Sequence, residues 1–226
     1  MKAILAIDQG TTSTRTIAFS INGKKLYSSQ LELKQYFPKN GWVEHDPDEI
    51  WKTTLKTLKD VINKNKKKNI EILTIGITNQ RETTVMWDKI NGKHVYKAIV
   101  WQDRRTDTLC QKLRKKNLEN KIRKKTGLFI DPYFSGTKIN WILKNVKKVK
   151  KLLENKRLLF GTIDTYIIWK LTGGKVHATD ATNASRTMLY NINSNKWDNE
   201  ILKILKIPVN ILPEVKNTAD NFGFTN

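Results

Sequence analysis

"AIDQGTTSTR", residues 6–15, decides how this chain begins to fold. An apolar run at residues 3–7 leads into it and predicts a buried strand, and residues 16–21 predict a second strand that returns antiparallel to the first. Between these strands stand a glycine and four consecutive hydroxyl residues, followed by Arg15. A phosphate-binding loop and a hairpin turn that merely carries hydroxyl groups both fit this pattern. A Walker A loop does not, because the chain lacks the G-K-[ST] signature and continues into a strand instead of a helix.

The phosphate-loop interpretation assigns each side chain of this stretch a chemical task. Gly10 would let the backbone come close to a bound anion. Asp8 could hold Mg²⁺ through water, because hard cations prefer oxygen ligands. Arg15 adds permanent positive charge. Three residues could donate hydrogen bonds to phosphate oxygens: Thr11, Thr12 and Ser13.

The segments that follow extend the strand pair into a mixed sheet. Asn22-Gly23 is a hairpin turn signal, and residues 25–34 suit a third strand, which completes an antiparallel meander. "DPDE", residues 46–49, has an aspartate at the N-cap and a proline at the first helical position, so it predicts the start of a helix. "ILTIGIT", residues 72–78, is nearly all apolar or neutral and predicts a strand covered on both faces.

The second half of the chain is mostly helical at first. From residue 103 to about residue 157 we predict three helical pieces, broken at Gly127 and around Asp131-Pro132. "LLFGTID", residues 158–164, then returns to a strand. The combination predicts an α/β fold with a mixed sheet, in which antiparallel hairpins accompany parallel strands under a helical cover.

The formal charge of +21 comes mainly from lysine, since only 8 of the 42 basic residues are arginine. We interpret this as a compositional bias towards lysine and asparagine, with runs such as residues 64–69 and 147–151 on solvated helix faces. An electrostatic platform for nucleic acid is the rival interpretation, but nucleic-acid readers favour arginine. The expected partners therefore include no nucleic acid.

The cysteine content and the apolar segments bear on the cellular location. The single cysteine, Cys110, excludes an internal disulfide framework and fits a reducing cytoplasm. No apolar segment approaches the roughly 18 residues of a membrane span, and the N-terminus does not look like a signal peptide. We therefore expect a soluble, cytoplasmic protein with no membrane partner.

A second group of chemically versatile residues follows the strand at residues 72–78. Arg81 and Glu82 stand side by side, and a carboxylate that accepts hydrogen bonds next to a guanidinium that donates them could grip neighbouring hydroxyls of a polyol. A surface ion pair, worth less than about 1 kcal/mol, is the alternative.

Two aromatic residues are further candidates for contact with a ligand. Trp101, at a predicted strand end, could pack against the C–H groups of a sugar or polyol, or simply belong to the core. Tyr133 follows a proline in a loop before a predicted helix, so its hydroxyl could face a pocket.

In this order and at this spacing, the motifs closely resemble the FGGY family of carbohydrate kinases over essentially the whole chain. "NQRET" and "DPYFSGTK" favour the members that phosphorylate glycerol over those that act on sugars. The segments that carry the resemblance are "AIDQGTTSTR", "GWVEHDPDEIW", "GITNQRETT", "IVWQDRRT", "GLFIDPYFSGTK", "LLFGTIDTYIIWKLTGG" and "TDATNASRTMLYNI".

The resemblance implies an actin-like ATPase fold of the ribonuclease-H type and ATP-dependent phosphorylation of glycerol to sn-glycerol 3-phosphate. It implies that Asp8 lies near Mg²⁺. It implies that four residues face the phosphates of ATP: Thr11, Thr12, Ser13 and Arg15. It implies that four others contact glycerol, three by hydrogen bonds and the tryptophan by packing on the carbon backbone: Arg81, Glu82, Tyr133 and Trp101.

Members of this family are about twice as long as residues 1–226. The resemblance implies that the general-base aspartate and most of the adenine-binding domain follow Asn226, so we assign no catalytic residue here and expect this N-terminal domain to be inactive alone. For the full-length protein we expect a homo-oligomer. We also expect the hydroxyl-rich hairpin and the Arg81-Glu82 pair to line opposite walls of one cleft.

Three other functions compete with this interpretation. Another sugar or polyol kinase of the same family and a polyol-binding module without catalysis both stay open. A metal hydrolase is disfavoured, because His45, His94 and His177 are scattered without ligand spacing.

Overall fold

The computed structural model describes residues 1–225, which divide into two compact units. Unit 1 contains residues 1–36 and 45–80, and unit 2 contains residues 37–44 together with the described chain from Arg81 onward. Within residues 1–225, no helix has both the length and the apolar composition that crossing a bilayer requires.

The structure is a mixture of strands and helices, as the sequence predicts. The strands are β1 (Lys2–Gln9), β2 (Ser13–Ser20), β3 (Lys25–Glu32), β4 (Glu44–His45), β5 (Glu71–Asn79), β6 (Val85–Asp88), β7 (Ala98–Ile99), β8 (Leu158–Gly161), β9 (Ala178–Asp180), β10 (Tyr190–Asn191), β11 (Lys196–Trp197) and β12 (Glu214–Lys216). The α-helices are α1 (Pro47–Lys66), α2 (Asp107–Lys115), α3 (Glu119–Thr126), α4 (Ser135–Asn145), α5 (Lys147–Glu154), α6 (Ile163–Leu171), α7 (Ala181–Ser185) and α8 (Asn199–Leu205).

Unit 1 is a four-stranded sheet in the order β3-β2-β1-β5. The predicted antiparallel meander of β1, β2 and β3 is confirmed, and β5 pairs parallel with β1. β2 begins at Ser13, three residues before the predicted start, because the strand pairing continues to the Gln9–Thr14 pair. This earlier start places Arg15 on the strand, directly opposite Asp8.

Helix α1 begins where its capping residues predict. The carboxylate of Asp46 accepts a hydrogen bond from the backbone N–H of Asp48 at 2.9 Å, and Pro47 occupies the first turn. The side of α1 that meets β2 also uses hydroxyl pairs: Thr16 and Thr57 lie 2.9 Å apart, oxygen to oxygen, and both are buried. Each hydroxyl therefore has a partner, which offsets the cost of burying it.

Strand β5 differs from its prediction. The prediction that both its faces are covered is wrong within the described residues, since Leu73 is 47% exposed and Ile75 and Ile77 are only half-buried. β5 is an edge strand of its sheet, and α1, the helix of unit 1, lies mainly over β2 and β3. Apolar composition shows that a strand can be covered, but not which elements cover it.

Unit 2 surrounds one apolar core with helices and short strand pairs. β6 pairs antiparallel with β8, β9 pairs parallel with β12, and β10 pairs with β11. The predicted three helical pieces between residues 103 and 157 are four, α2 to α5. Asn117 takes a left-handed φ of 57° between α2 and α3, and Val146 separates α4 from α5. Cys110 is a buried thiol in α2, and burial raises its pKa to about 11.

A buried arginine fastens residues 37–44 to the rest of unit 2. The side chain of Arg105 is fully buried, and its Nη2 lies 2.8 Å from both the Glu44 and the Asp103 carboxylates. The guanidinium carbon lies 3.7 Å from the centre of the Trp42 ring. Asp103 also accepts a hydrogen bond from the backbone N–H of Val43 at 2.7 Å. The paired charges therefore hold this segment in place.

We expect Arg105→Met to lower the free energy of unfolding of unit 2 by about 3–5 kcal/mol, because two buried carboxylates lose their partner. Arg104→Met is the matched control: Arg104 is 53% exposed and 3.0 Å from Asp131, so its loss should cost less than about 1 kcal/mol. Urea denaturation followed by circular dichroism measures both. Equal losses would contradict the role given to Arg105.

Candidate functional site

Unit 2 brings together three of the four residues predicted to contact glycerol. Glu82 is buried in the turn after β5, and its Oε1 accepts a hydrogen bond from the Nε of Arg186 at 2.7 Å. The Arg186 guanidinium carbon lies 5.7 Å from the centre of the Tyr133 ring. The Tyr133 ring centre lies 5.5 Å from that of Trp101. An acceptor carboxylate, a phenol hydroxyl and an indole face therefore share one region.

Arg81, the fourth residue, lies in the same turn as Glu82 and is exposed. It is adjacent in sequence to the buried carboxylate. Its predicted contact with a polyol stays a prediction.

The loop before α4 is held by a carboxylate and by close packing. Asp131 Oδ1 accepts a hydrogen bond from the backbone N–H of Tyr133 at 2.8 Å. At the start of α4, the backbone N–H of Gly136 donates to the Thr187 carbonyl at 2.8 Å, and a Cβ at Gly136 would lie 3.0 Å from a methyl group of Leu189. A side chain at this position would push its neighbours away by a few tenths of an ångström, so the glycine helps to keep the segment after Arg186 beside the Tyr133 loop.

Arg186 is a functional candidate that no sequence pattern singled out. A guanidinium can pair with a carboxylate and lie against an aromatic ring at the same time. Arg186 does both, towards Glu82 and the rings of Tyr133 and Phe134. The rarity of arginine was a signal that could have singled out this residue, since the chain has only 8 arginines against 34 lysines.

In unit 1, the turn between β1 and β2 presents the predicted phosphate ligands. The Gly10 N–H donates to the Ser13 carbonyl at 2.9 Å and closes the turn. Thr12 is exposed, and Thr11 and Ser13 are partly exposed. A phosphate could therefore reach this hydroxyl-rich turn from solvent.

Asp8 and Arg15 form an ion pair at 2.8 Å, with side chains 39% and 44% exposed. The Nε of Arg15 is nevertheless buried and has no hydrogen-bond partner among the described residues. The accessible carboxylate of Asp8 fits a hydrated Mg²⁺, which would compete with Arg15 for it.

A network of buried amides supports the same turn, and no local sequence pattern predicts it. The side-chain amides of Gln9 and Gln80 donate to the Gly10 carbonyl at 2.8 and 3.1 Å. The Gln80 amide also lies 3.1 Å from Nδ1 of His45. Burial lowers the pKa of His45 to about 4, so the ring is neutral near pH 7 and its Nδ1 can accept this hydrogen bond.

Comparison with known protein sequences shows what the chain is similar to. The family model for the N-terminal domain of the FGGY family of carbohydrate kinases matches residues 3–226. The glycerol kinase of Rhizobium meliloti is 58% identical over 222 residues, which are 98% of this chain and 45% of that protein. The glycerol kinase of Malacoplasma penetrans is 58% identical over 225 residues, which are 100% of this chain and 44% of that protein. The chain thus spans a little under half the length of these curated relatives.

Solved structures agree with these sequence matches. The crystal structure of Plasmodium falciparum glycerol kinase with ADP has a TM-score of 0.95 and 40% identity, covering 100% of this chain and 45% of that chain. The ligand-bound xylulose kinase from Lactobacillus acidophilus has a TM-score of 0.84 and 27% identity, covering 96% of this chain and 42% of that chain. The predicted fold class, a mixed α/β domain of the actin-like ATPase type, is confirmed.

The amide network predicts a dependence of stability on pH. The folded-state pKa of His45, about 4, lies below the ordinary value of 6.5, so the stability that neutral His45 contributes is complete above pH 6.5 and is lost as the pH falls towards 4. Between about pH 7 and pH 4, we expect the free energy of unfolding of the wild type to fall about 3 kcal/mol further than that of His45→Gln. Urea titrations at each pH measure the difference. Parallel pH profiles for the two proteins would contradict it.

Proposed function

Because the chain belongs to the FGGY family of carbohydrate kinases, we propose that it is the N-terminal part of a kinase that transfers the γ-phosphoryl group of ATP to glycerol. The product would be sn-glycerol 3-phosphate. The observation that carries the proposal is the grouping of Glu82, Tyr133 and Trp101 in unit 2. Relatives at 58% identity over nearly the whole chain are glycerol kinases, which supports glycerol as the acceptor.

Each side chain of the grouping suits a small polyol. Glu82 keeps acceptor capacity beside its bond to Arg186, since a carboxylate offers about four acceptor positions. It would accept hydrogen bonds from hydroxyl groups, while Arg81 would donate them. Tyr133 could do either, and Trp101 would pack against the carbon backbone. Arg186 would hold the Glu82 carboxylate in place.

The hydroxyl-rich turn would supply the phosphate contacts. Thr11, Thr12, Ser13 and Arg15 would face the phosphates of ATP. Asp8 would hold Mg²⁺ through water, and this cation, when bound, neutralises charge on the phosphate oxygens. The accessibility of the turn supports this assignment. Phosphoryl transfer asks mainly for such positioning and charge neutralisation.

The xylulose kinase match favours a second candidate, a kinase of the same family that acts on a sugar. Its identity of 27% is well below the 58% of the glycerol kinases, so glycerol ranks first. A non-catalytic polyol-binding module is the remaining alternative. A cytoplasmic location and a homo-oligomeric full-length protein stay predictions, as does the absence of nucleic-acid and membrane partners.

We expect Arg81→Ala and Glu82→Ala in the full-length protein each to weaken apparent glycerol affinity by about 1.5–3 kcal/mol, the range for a hydrogen bond to a charged group. Glycerol titration in a steady-state kinase assay measures the change. Arg123→Ala and Glu154→Ala are matched controls, since both residues are exposed elsewhere in unit 2. Barely changed affinity in the two site variants would refute glycerol as the ligand of this site.

Residues 1–226 alone should form no glycerol 3-phosphate above background. If the general base follows Asn226, as the resemblance implies, its absence lowers the rate roughly 10²–10⁴-fold. The lost positioning would forfeit up to about 7–11 kcal/mol of barrier lowering. A coupled assay measures this, with the full-length glycerol kinase of Rhizobium meliloti as the positive control. Robust turnover by the 226-residue chain would show that it already contains the catalytic base.

A further inference from the structure

Lys138 differs from the other lysines of this chain in its burial. The structure describes all 34 of them, and Lys138 alone is buried, with no exposed surface. It lies in the first turn of α4. A lysine in such a place needs compensating hydrogen bonds and charges, so its partners indicate what it does.

The partners of Lys138 are the backbones of two proposed glycerol ligands. Its ammonium group donates to the Tyr133 carbonyl at 2.5 Å and to the Glu82 carbonyl at 3.4 Å. The hydroxyl of Ser135 donates to the same Glu82 carbonyl at 3.1 Å. One cation therefore joins the turn that carries Glu82 to the loop that carries Tyr133.

The charges around Lys138 favour its ammonium form, while its burial opposes it. Asp103, Glu82 and Asp131 raise the pKa of Lys138, but desolvation outweighs them and lowers it to about 7. The carbonyl contacts matter in either state, because a neutral amine still donates hydrogen bonds and the ammonium form donates three.

We propose that Lys138 is a positioning residue of the glycerol site, which fixes the separation of the Glu82 carboxylate and the Tyr133 hydroxyl by binding the main-chain carbonyls of both residues. The inference rests on the proposed function. Lys138 touches no substrate in this scheme. It acts through the two residues that would.

A purely structural role would predict a loss of stability without a selective loss of glycerol binding. Asn140 provides the comparison, because it is buried in the same helix two residues away and its amide donates to the Leu205 carbonyl at 2.7 Å. Asn140→Ala also removes a buried hydrogen bond, but none to Glu82 or Tyr133.

The test compares Lys138→Met, Ser135→Ala and Asn140→Ala in the full-length protein, with KM for glycerol and KM for ATP measured separately and folding checked by thermal denaturation. We expect Lys138→Met to raise KM for glycerol by about 10- to 100-fold, with KM for ATP changed less than about twofold. Ser135→Ala should raise KM for glycerol by a smaller factor, about threefold, because Lys138 still holds the carbonyl. Asn140→Ala should leave both KM values unchanged.

The outcomes separate this inference from the proposed function. An active wild type whose KM for glycerol is unaffected by Lys138→Met, or affected equally by Asn140→Ala, overturns the inference alone. If Lys138→Met does not fold, Ser135→Ala decides. An unchanged KM for glycerol in that variant overturns the inference, and a rise in KM for glycerol without a rise in KM for ATP supports the inference. A wild type that does not phosphorylate glycerol overturns the proposed function, and the inference falls with it.

Discussion

The buried guanidinium of Arg105 is the constraint on which unit 2 depends. It bridges Glu44 and Asp103 and stacks on Trp42, so it holds residues 37–44 against the chain that follows β7. One cation between two buried carboxylates leaves one negative charge without compensation. Lys138 interacts electrostatically with Asp103, one of these two carboxylates. The candidate glycerol site and the fold of unit 2 therefore share one buried charge network, in which each ion makes the burial of the next less costly.

The two basic residue types are used differently in this protein. The lysines lie at or near the surface, apart from Lys138, and carry most of the charge of +21. Arginine occurs where a planar fork meets a carboxylate, a carbonyl or a ring. Seven of the eight arginines make such contacts: Arg15, Arg104, Arg105, Arg114, Arg123, Arg157 and Arg186. The eighth, Arg81, is the exposed residue proposed to bind glycerol.

Local signals predict much of the fold and the types of site residue. The Asn22-Gly23 turn, the Asp46 cap and the meander depend on neighbours in sequence, and all three are confirmed. The grouping of Glu82, Tyr133 and Trp101 followed from a resemblance, since no local rule joins residues so far apart. The exposure of β5 and the pairing of Arg186 with Glu82 escaped prediction, because both depend on which distant elements pack together.

The amino-acid sequence by itself determined the hairpin between β2 and β3 and the start of α1, because turn and cap residues act over a few residues. It also determined which chemical groups the turns and loops carry, from the hydroxyls at Thr11 and Thr12 to the carboxylate at Glu82. Only the tertiary structure decided which one of 34 lysines is buried and which carbonyls it holds. The physical reason is that desolvation depends on every element packed around a side chain, and a linear pattern does not contain that information.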